Sequence, residues 1–167
     1  MDFIQRHDLL CGVLADSDHY DHKTIDGSGD LRAFLAGMIN YDPPWMTALY
    51  AVRAAFVRLL GMRQGGIPRS PGLEPEDIDF EPGAKVSFFR TEQAEERQFW
   101  VGVIPDKHLT ARLIVAAEPL ETEQTRFHVG TVVHYQRWTG PLYFNVIRPF
   151  HHLVVSSMMR AAQKSLG

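Results

Sequence analysis

Two segments between residues 30 and 60 show hydrophobic residues at a helical period. The first has apolar positions at i, i+3, i+4, i+7 and i+8, with Ser28 or Asp30 available as an N-cap: Leu31, Phe34, Leu35, Met38 and Ile39. The second follows Asp42, which can cap it, has Pro43 in its first turn, and carries one apolar stripe: Trp45, Leu49, Val52, Phe56 and Leu59 or Leu60. The pattern predicts two consecutive amphipathic helices, the second ending near Gly61.

Residues 85 to 136 change to short runs rich in β-branched and aromatic residues. These runs are "KVSFFR", "RQFWVGVI", "LTARLIVAAE" and "RFHVGTVVHYQ", separated by "TEQAEE", "PDKH" and "PLETEQ". Connections this short favour hairpins, so we predict a meander of four antiparallel strands, with a further strand at "HYDHKTI" before the helices. Residues 63–83 are rich in proline and glycine and are predicted to form a long loop, a candidate lid, with one short strand around Ile78 to Phe80.

Alternation along the last two strands predicts which side chains face the interior. The predicted inner face of the last strand consists of Phe127, Val129, Thr131, Val133 and Tyr135. On the strand before it, Leu109, Ala111, Leu113, Val115 and Ala117 point the same way, which leaves Arg112 outside. Ala111 and Ala117 are small, so the volume above them is either a pocket or is filled by Trp45 or Trp100.

The period becomes helical again after Thr139 and Pro141, and a helix of about 36 Å is predicted from Leu142 to Ser165, bent at Pro149. At 100° per residue one side of this helix holds Tyr143, Phe144, Ile147, Phe150, His151, Val154, Met158 and Ala161. The first residue of the pair His151-His152 therefore faces inward. The second is rotated towards the polar edge near Arg148 and is expected at the surface.

The order of elements predicts an α+β fold in a single domain over residues 1–167. That order, strand, two short helices, strand meander and long C-terminal helix, is typical of the helix-grip fold of START-type lipid carriers, the major birch pollen allergen and polyketide cyclases. "ADSDHYDH", "PPWMTALYAVRAAFVRLLGM" and "TVVHYQRWTGPLYFNVIRPFHHLVVSSMMRAA" resemble the bacterial family known as domain of unknown function 2867. The resemblance implies a curved antiparallel sheet wrapped around the C-terminal helix, with an internal cavity, and it implies no catalytic residues.

Composition narrows the classes of partner. Seventeen Lys and Arg residues against 20 Asp and Glu, with no basic run, argue against nucleic acid. The most apolar stretch, residues 43–60, is interrupted by Arg53 and Arg58, so no membrane span is predicted. A single cysteine and the lack of a recognisable export leader indicate a cytoplasmic protein, with Cys11 as a small buried hydrophobe.

Our leading hypothesis from the sequence is a module that holds a small hydrophobic molecule between the sheet and the C-terminal helix. Pockets for such ligands are mostly apolar with a few polar anchors, here His151 and Tyr135. The candidate ligand-binding residues are His151, Tyr135, Tyr143, Ile147, Thr131, Val133, Leu113 and Ala111. A buried imidazole needs a partner, so His151 either bonds to the sheet or faces a polar part of the cavity.

Two alternatives remain open at this point. One is an enzyme of the cyclase or hydratase kind, with His151 as general acid or base beside Tyr135, Asp21 or Arg148. The other is a non-catalytic interaction domain that forms a homodimer through an exposed apolar patch. We predict no cofactor, because "RQGG" lacks the context of a phosphate loop, and no metal site, because His19 and His22 would lie on opposite faces of a strand.

Overall fold

Six antiparallel strands form one curved sheet in the computed structural model, which describes residues 1–59, 72–105, 108–121 and 123–167. The strands are β1 (His19–Gly27), β2 (Lys85–Val86), β3 (Phe89–Glu95), β4 (Phe99–Pro105), β5 (Leu109–Pro119) and β6 (Thr125–Tyr135). Their spatial order is β1-β6-β5-β4-β3-β2, so five consecutive strands form a meander and β1 pairs with β6. The antiparallel meander and the strand ahead of the helices are confirmed, but the meander has five strands and not the predicted four, because "KVSFFR" forms β2, a turn at residues 87–88 and the start of β3.

Among the described residues, five α-helices cover the two faces of the sheet. They are α1 (Phe3–Arg6), α2 (Asp8–Leu14), α3 (Leu31–Ile39), α4 (Pro44–Leu59) and α5 (Thr139–Leu166). Asp30 is the N-cap of α3 and accepts a hydrogen bond of 2.8 Å from the Ala33 N–H. At 28 residues, α5 is about 42 Å long and extends beyond both predicted ends. The α+β class, the two helices after β1 and the long C-terminal helix agree with the predicted helix-grip arrangement.

Two predicted boundaries in the meander are wrong. "TEQAEE" is not a connection, because β3 runs to Glu95 and a short turn leads into β4. Its polar residues alternate with buried Phe89 and Thr91, so a strand with one solvated face resembles a loop in composition. No strand forms around Ile78, which follows a 3-10 turn at Pro75–Asp77 and is fully buried. Residues 63–71 of the predicted lid, and Leu60 and Gly61 at the predicted end of the second helix, lie outside the described residues.

The main core fills the concave face of the sheet, under α3 and the C-terminal half of α5. Phe34 of α3 stacks on Phe127 of β6 with ring centroids 4.0 Å apart. Trp100 of β4 is fully buried, and its indole N–H donates to the Thr91 hydroxyl at 3.0 Å. The two helices approach closely at Gly37, where a Cβ atom would lie only 3.0 Å from the Ala162 Cα. This part of the interior is filled by side chains.

The convex face is covered by α1 and α2, which the sequence analysis did not predict. Ile4 and Leu10 pack there on Ile114, Val132 and other apolar side chains of the sheet. Cys11 points away from this cluster and is exposed, so its predicted burial is wrong. A helix of seven residues buries one side only, and Leu10 occupies that side.

Two predicted helix stripes need correction. On α4 the buried residues are Met46 and Val57, whereas Val52 is 64% exposed and Leu59 83% exposed. On α5, Phe150 is 46% exposed. An apolar stripe shows which residues a helix could bury, and in both helices no other described element covers these particular residues. Within the described ranges, none of the helices combines the length and hydropathy that a membrane crossing requires.

Candidate functional site

A second apolar cluster lies on the concave face, at the end of the sheet next to α4. Its buried members are Val57, Leu109, Val133, Tyr143 and Phe144, and its half-buried members are Phe56, Ala111, Tyr135 and Ile147. Five of the predicted ligand-binding residues therefore meet here: Ala111, Val133, Tyr135, Tyr143 and Ile147. The main core is a separate cluster, so the two ends of the same sheet face are packed differently.

His151 lies beside the second cluster, half-buried, and is bonded to the sheet. Its Nε2 atom is 3.1 Å from the hydroxyl of Thr131 on β6, the inner-face threonine of the prediction. Burial, with a smaller effect from neighbouring His152, lowers the pKa of His151 to about 4. The imidazole is therefore neutral at pH 7 and can both accept and donate one hydrogen bond.

His152 also contacts the sheet, which differs from its predicted place at the surface. Its Nδ1 atom is 3.1 Å from Asp21 Oδ2 and 3.2 Å from Lys23 Nζ on β1. The Lys23 ammonium itself pairs with Asp21 at 3.1 Å. Burial disfavours the Asp21 carboxylate, but the hydrogen bond and charge of Lys23 outweigh it and lower the pKa of Asp21. The helix lies close to the edge strand β1, so adjacent positions reach two different strands.

His19, at the start of β1, completes this polar border. Its ring contacts Phe144 at a centroid distance of 4.8 Å and lies 6.5 Å from the ring of His152. Burial first, and then the positive charge of Arg148, lower the pKa of His19. Its Nε2 atom is buried and has no hydrogen-bond partner among the described residues. A buried ring nitrogen without a partner costs free energy, and a polar group of a ligand could remove that cost.

The two tyrosines of the prediction occupy different positions in the second cluster. Tyr143 is buried, stacks on Phe56 of α4, and accepts a 2.5 Å hydrogen bond from Arg53 Nε at its hydroxyl. Tyr135 is half-buried at the end of β6, and its ring lies 6.3 Å from Phe144. The hydrogen bond between Tyr143 and Arg53 joins α5 to α4, and Tyr135 is a partly exposed member of the cluster.

Leu113, the remaining predicted residue, belongs to the main core and not to the second cluster. The space above Gly102 is occupied by the Trp100 ring, because a Cβ atom there would lie 2.0 Å from Trp100 Cη2. Gly102 pairs with Leu113 on β5, so the Trp100 ring fills the inner face beside Leu113. Ala111 remains half-buried, and the partly open space lies at its end of the strand.

The sequence analysis missed a second group of polar side chains, on the convex face. His19 and His22 do lie on opposite faces of β1, since His19 contacts α5 and His22 faces α1. His22 is 3.1 Å from His128, a residue placed only on the outer face by strand alternation. The sequence analysis did not predict α1. Without a helix on that face, a histidine that points outward from the sheet is expected to be exposed to solvent.

The residues of the second cluster and of its polar border all lie in the part of the chain that matches one protein family. The chain matches the family described as "Protein of unknown function (DUF2867)" over residues 13–158. It belongs to the DUF2867 family. No curated protein and no solved structure matches it. The DUF2867 match begins inside α2, so the second cluster and its polar border lie in the matched region, whereas Asp2 and α1 lie before it.

Proposed function

We propose that this DUF2867 protein is a helix-grip module that binds a small hydrophobic molecule carrying one hydrogen-bonding group. The ligand occupies the second apolar cluster, between α4, the N-terminal half of α5 and the ends of β5 and β6. The observation that carries the proposal is the partial exposure of apolar Ala111, Tyr135 and Ile147 beside the buried, unpartnered Nε2 of His19. Apolar walls with a few polar groups are the usual composition of small-molecule sites.

The polar border supplies the anchors. His151 is neutral and already held by Thr131, so its ring is fixed in orientation. The His19 ring contacts Phe144, in the N-terminal half of α5, and its Nε2 atom is buried without a partner among the described residues. A hydroxyl or carbonyl group of a ligand could bond to this nitrogen, while its apolar part replaces water over Ala111 and Val133. The gain from covering these side chains is about 25 cal/mol per Å² of apolar surface.

A pair of matched variants tests this location. Ala111 and Ala117 are half-buried alanines on the same face of β5, one in the second cluster and one beside the main core. We expect Ala111→Leu to fill the proposed site and Ala117→Leu to leave it open. The probe is 1-naphthol, which has an apolar ring and one hydroxyl group, followed through the methyl NMR signals of Val133 and Ile147.

The expected result is saturable methyl shifts in the wild type and in Ala117→Leu, weakened at least tenfold in Ala111→Leu. Binding that is equal in the two variants would place the ligand elsewhere. No saturable shift with 1-naphthol or with a fatty acid and a sterol would remove the ligand-binding proposal. Mass spectrometry of the native protein would identify molecules that copurify with it.

The enzyme alternative receives less support from the same geometry. A general acid needs a pKa near the working pH, whereas the pKa of His151 is about 4. The described partner of His151 is the Thr131 hydroxyl, and not Tyr135, Asp21 or Arg148. His151 therefore suits the role of an orienting residue better than that of a proton donor.

The interaction alternative is favoured by one observation, an apolar stripe on the outside of α5. Leu142, Val146, Phe150 and Leu153 are each between 44% and 53% exposed, and they fall within about 80° of the helix circumference. The stripe suits a homodimer, in which two copies of α5 cover each other. Sedimentation of the wild type and of Phe150→Lys over a range of concentrations tests this. A monomer at all concentrations excludes the dimer.

A further inference from the structure

A polar cavity lies on the convex face, away from the proposed hydrophobic site. It is bounded by α1, β1, β6 and β5, reaches around the edge strand β1 to Gln163 near the end of α5, and has a volume of about 500 Å³. The side chains that matter for its chemistry are Asp2, Arg6, His22, Glu118, Arg126 and His128. Phe3 stacks on the His128 ring at 4.4 Å and holds α1 over this surface. The cavity is open to solvent on one side.

Four of these side chains lie in a row across three strands and the start of α1. Glu118 Oε2 is 2.9 Å from His128 Nε2, and His128 Nδ1 is 3.1 Å from His22 Nε2. At the other end of the row, His22 Nδ1 is 3.7 Å from Asp2 Oδ2. The first two distances are hydrogen bonds, and the third is too long for one. The row therefore has a gap between His22 and Asp2.

The positions of the protons in this row follow from what each group can donate. A carboxylate only accepts, so His128 Nε2 must carry a hydrogen to bond to Glu118. Neutral His128 then has a lone pair on Nδ1, and His22 Nε2 must carry the hydrogen between the rings. In the neutral form of His22, that leaves a lone pair on Nδ1. Burial is the largest influence on the pKa of His128 and lowers it, which agrees with a neutral ring.

The gap is thus bordered by two hydrogen-bond acceptors, His22 Nδ1 and Asp2 Oδ2. Asp2 Oδ1 already accepts from the Gln5 N–H at 3.0 Å, and the Tyr20 hydroxyl donates to both carboxylate oxygens. Two acceptors 3.7 Å apart repel each other unless a donor lies beside both. A donor group with several N–H bonds can hydrogen-bond to both acceptors at once.

The charges of the cavity favour a cation as that donor. Asp26 holds Arg126 in a bidentate ion pair with distances of 2.7 and 2.9 Å, which neutralises both. Of the remaining charged groups, Asp2 and Glu118 are negative and Arg6 is positive. Arg6 is exposed, so water screens its charge, whereas the Asp2 side chain is only 22% exposed.

We propose that this cavity binds a small molecule with a primary ammonium group, which donates hydrogen bonds to His22 Nδ1 and Asp2 Oδ2. The three hydrogens of an ammonium group allow it to bond to both acceptors and to one water or ligand atom. The site is independent of the proposed hydrophobic site, because it lies on the other face of the sheet.

A proton on His22 competes with the ammonium group. Protonation would place a hydrogen on Nδ1, complete the row with Asp2, and remove the lone pair that the amine needs. The groups that face His22 and set this competition are Asp2 and Arg6 from α1, Tyr20 and Asp26 from β1, His128 and Arg126 from β6, and Glu118 from β5. A hydrogen on His22 Nδ1 and a bound ammonium group therefore exclude each other.

The test uses n-propylamine, with propionate and 1-propanol as matched anionic and neutral probes. Ring resonances of His22 and His128 report binding by NMR at pH 8. We expect saturable shifts with the amine and at least tenfold weaker binding of the other two probes. Tighter binding of propionate, or no saturable shift with the amine, would overturn the proposal.

Two aspartate variants separate the site from a change in folding. Asp2 and Asp30 are both N-caps whose side chains accept from a backbone N–H, and asparagine caps helices as well as aspartate does. Asp2→Asn should weaken amine binding at least tenfold, and Asp30→Asn should change it less than twofold. Equal effects of the two would contradict the assignment.

Discussion

The two ends of the concave face are built from the same strands and the same helix, yet only one end is closed. In the main core, α3 and α5 meet at Gly37 and cover fully buried aromatic rings. In the second cluster, α4 covers the sheet through Val57 and Phe56 and leaves Ala111, Tyr135 and Ile147 partly exposed. The first end supplies stability, and the second presents apolar surface bordered by histidines. The C-terminal half of α5 therefore packs into the main core, whereas its N-terminal half contributes side chains to the candidate site.

The largest expected effect compares one phenylalanine from each cluster. Phe34 is fully buried against Phe127, whereas Phe56 is half-buried on α4. Phe34→Ala should lower the free energy of unfolding by about 3 to 5 kcal/mol, because it removes apolar contacts and leaves a cavity. Phe56→Ala should cost about 1 kcal/mol. Urea denaturation measures both, and equal losses would mean that the second cluster is as closed as the first.

The polar border of the second cluster should make stability depend on pH through His151. Its pKa is about 4 in the folded protein and 6.5 ordinarily, so the unfolded chain takes up the proton first as the pH falls. This contribution is complete above pH 6.5 and is lost between pH 6.5 and pH 4, with an upper limit of about 3 kcal/mol.

The measurement is urea denaturation at pH 7 and pH 4.5 for the wild type and His151→Gln. The variant should lose less stability between the two pH values. His134→Gln is the control, because His134 lies on the other face and bonds to the Ala15 carbonyl at 3.1 Å. If the His151 and His134 variants respond alike, burial of His151 is not the cause.

A smaller effect is expected from the close contact that seals the main core. A Cβ atom at Gly37 would lie 2.9 Å from Ser165 Oγ and 3.0 Å from Ala162 Cα, so α3 and α5 would have to separate. Gly37→Ala should destabilise by about 1 to 2 kcal/mol despite its better helix propensity. At Gly12 of α2 a Cβ atom meets nothing within 4 Å, and Gly12→Ala should stabilise by up to about 1 kcal/mol. Thermal unfolding of both variants shows whether each substitution lowers or raises the stability. A Gly37→Ala variant more stable than the wild type would contradict the tight packing of α3 against α5.

The smallest effect belongs to the ion pair at the border of the second cluster. Lys23 is 23% exposed and Asp21 20% exposed, and Asp21 keeps His152 as a second partner at 3.1 Å when the ammonium is removed. Lys23→Met should change the free energy of unfolding by less than about 1 kcal/mol and should raise the pKa of Asp21, since it removes the hydrogen bond that lowers it. Carbon-detected NMR of the Asp21 carboxyl follows that pKa, which should not move in Lys85→Met, a change on the distant strand β2.

The agreement between sequence and structure is best where one face of an element is buried completely. The inner faces of β5 and β6, the helix from Leu31 to Ile39 and its Asp30 cap follow directly from periodicity. It is poorest for α4 and for Phe150, because an apolar stripe shows what an element could bury and not what covers it. His152 shows the same limit of the helical pattern. Its position, 100° around α5 from His151, predicted exposure to solvent, but its side chain contacts the Asp21 carboxylate on β1.

The sequence by itself determined the order of elements, the inward direction of Thr131, Val133 and His151, and membership of a family through long matching segments. Those features depend on local periodicity and on neighbouring residues in the chain. Only the tertiary structure decided which histidines meet. The contacts of His22 with His128 and of His152 with Asp21 join residues more than 100 positions apart. Such contacts arise from strand register and helix docking, and no local pattern of residues encodes the distance between two side chains on different elements.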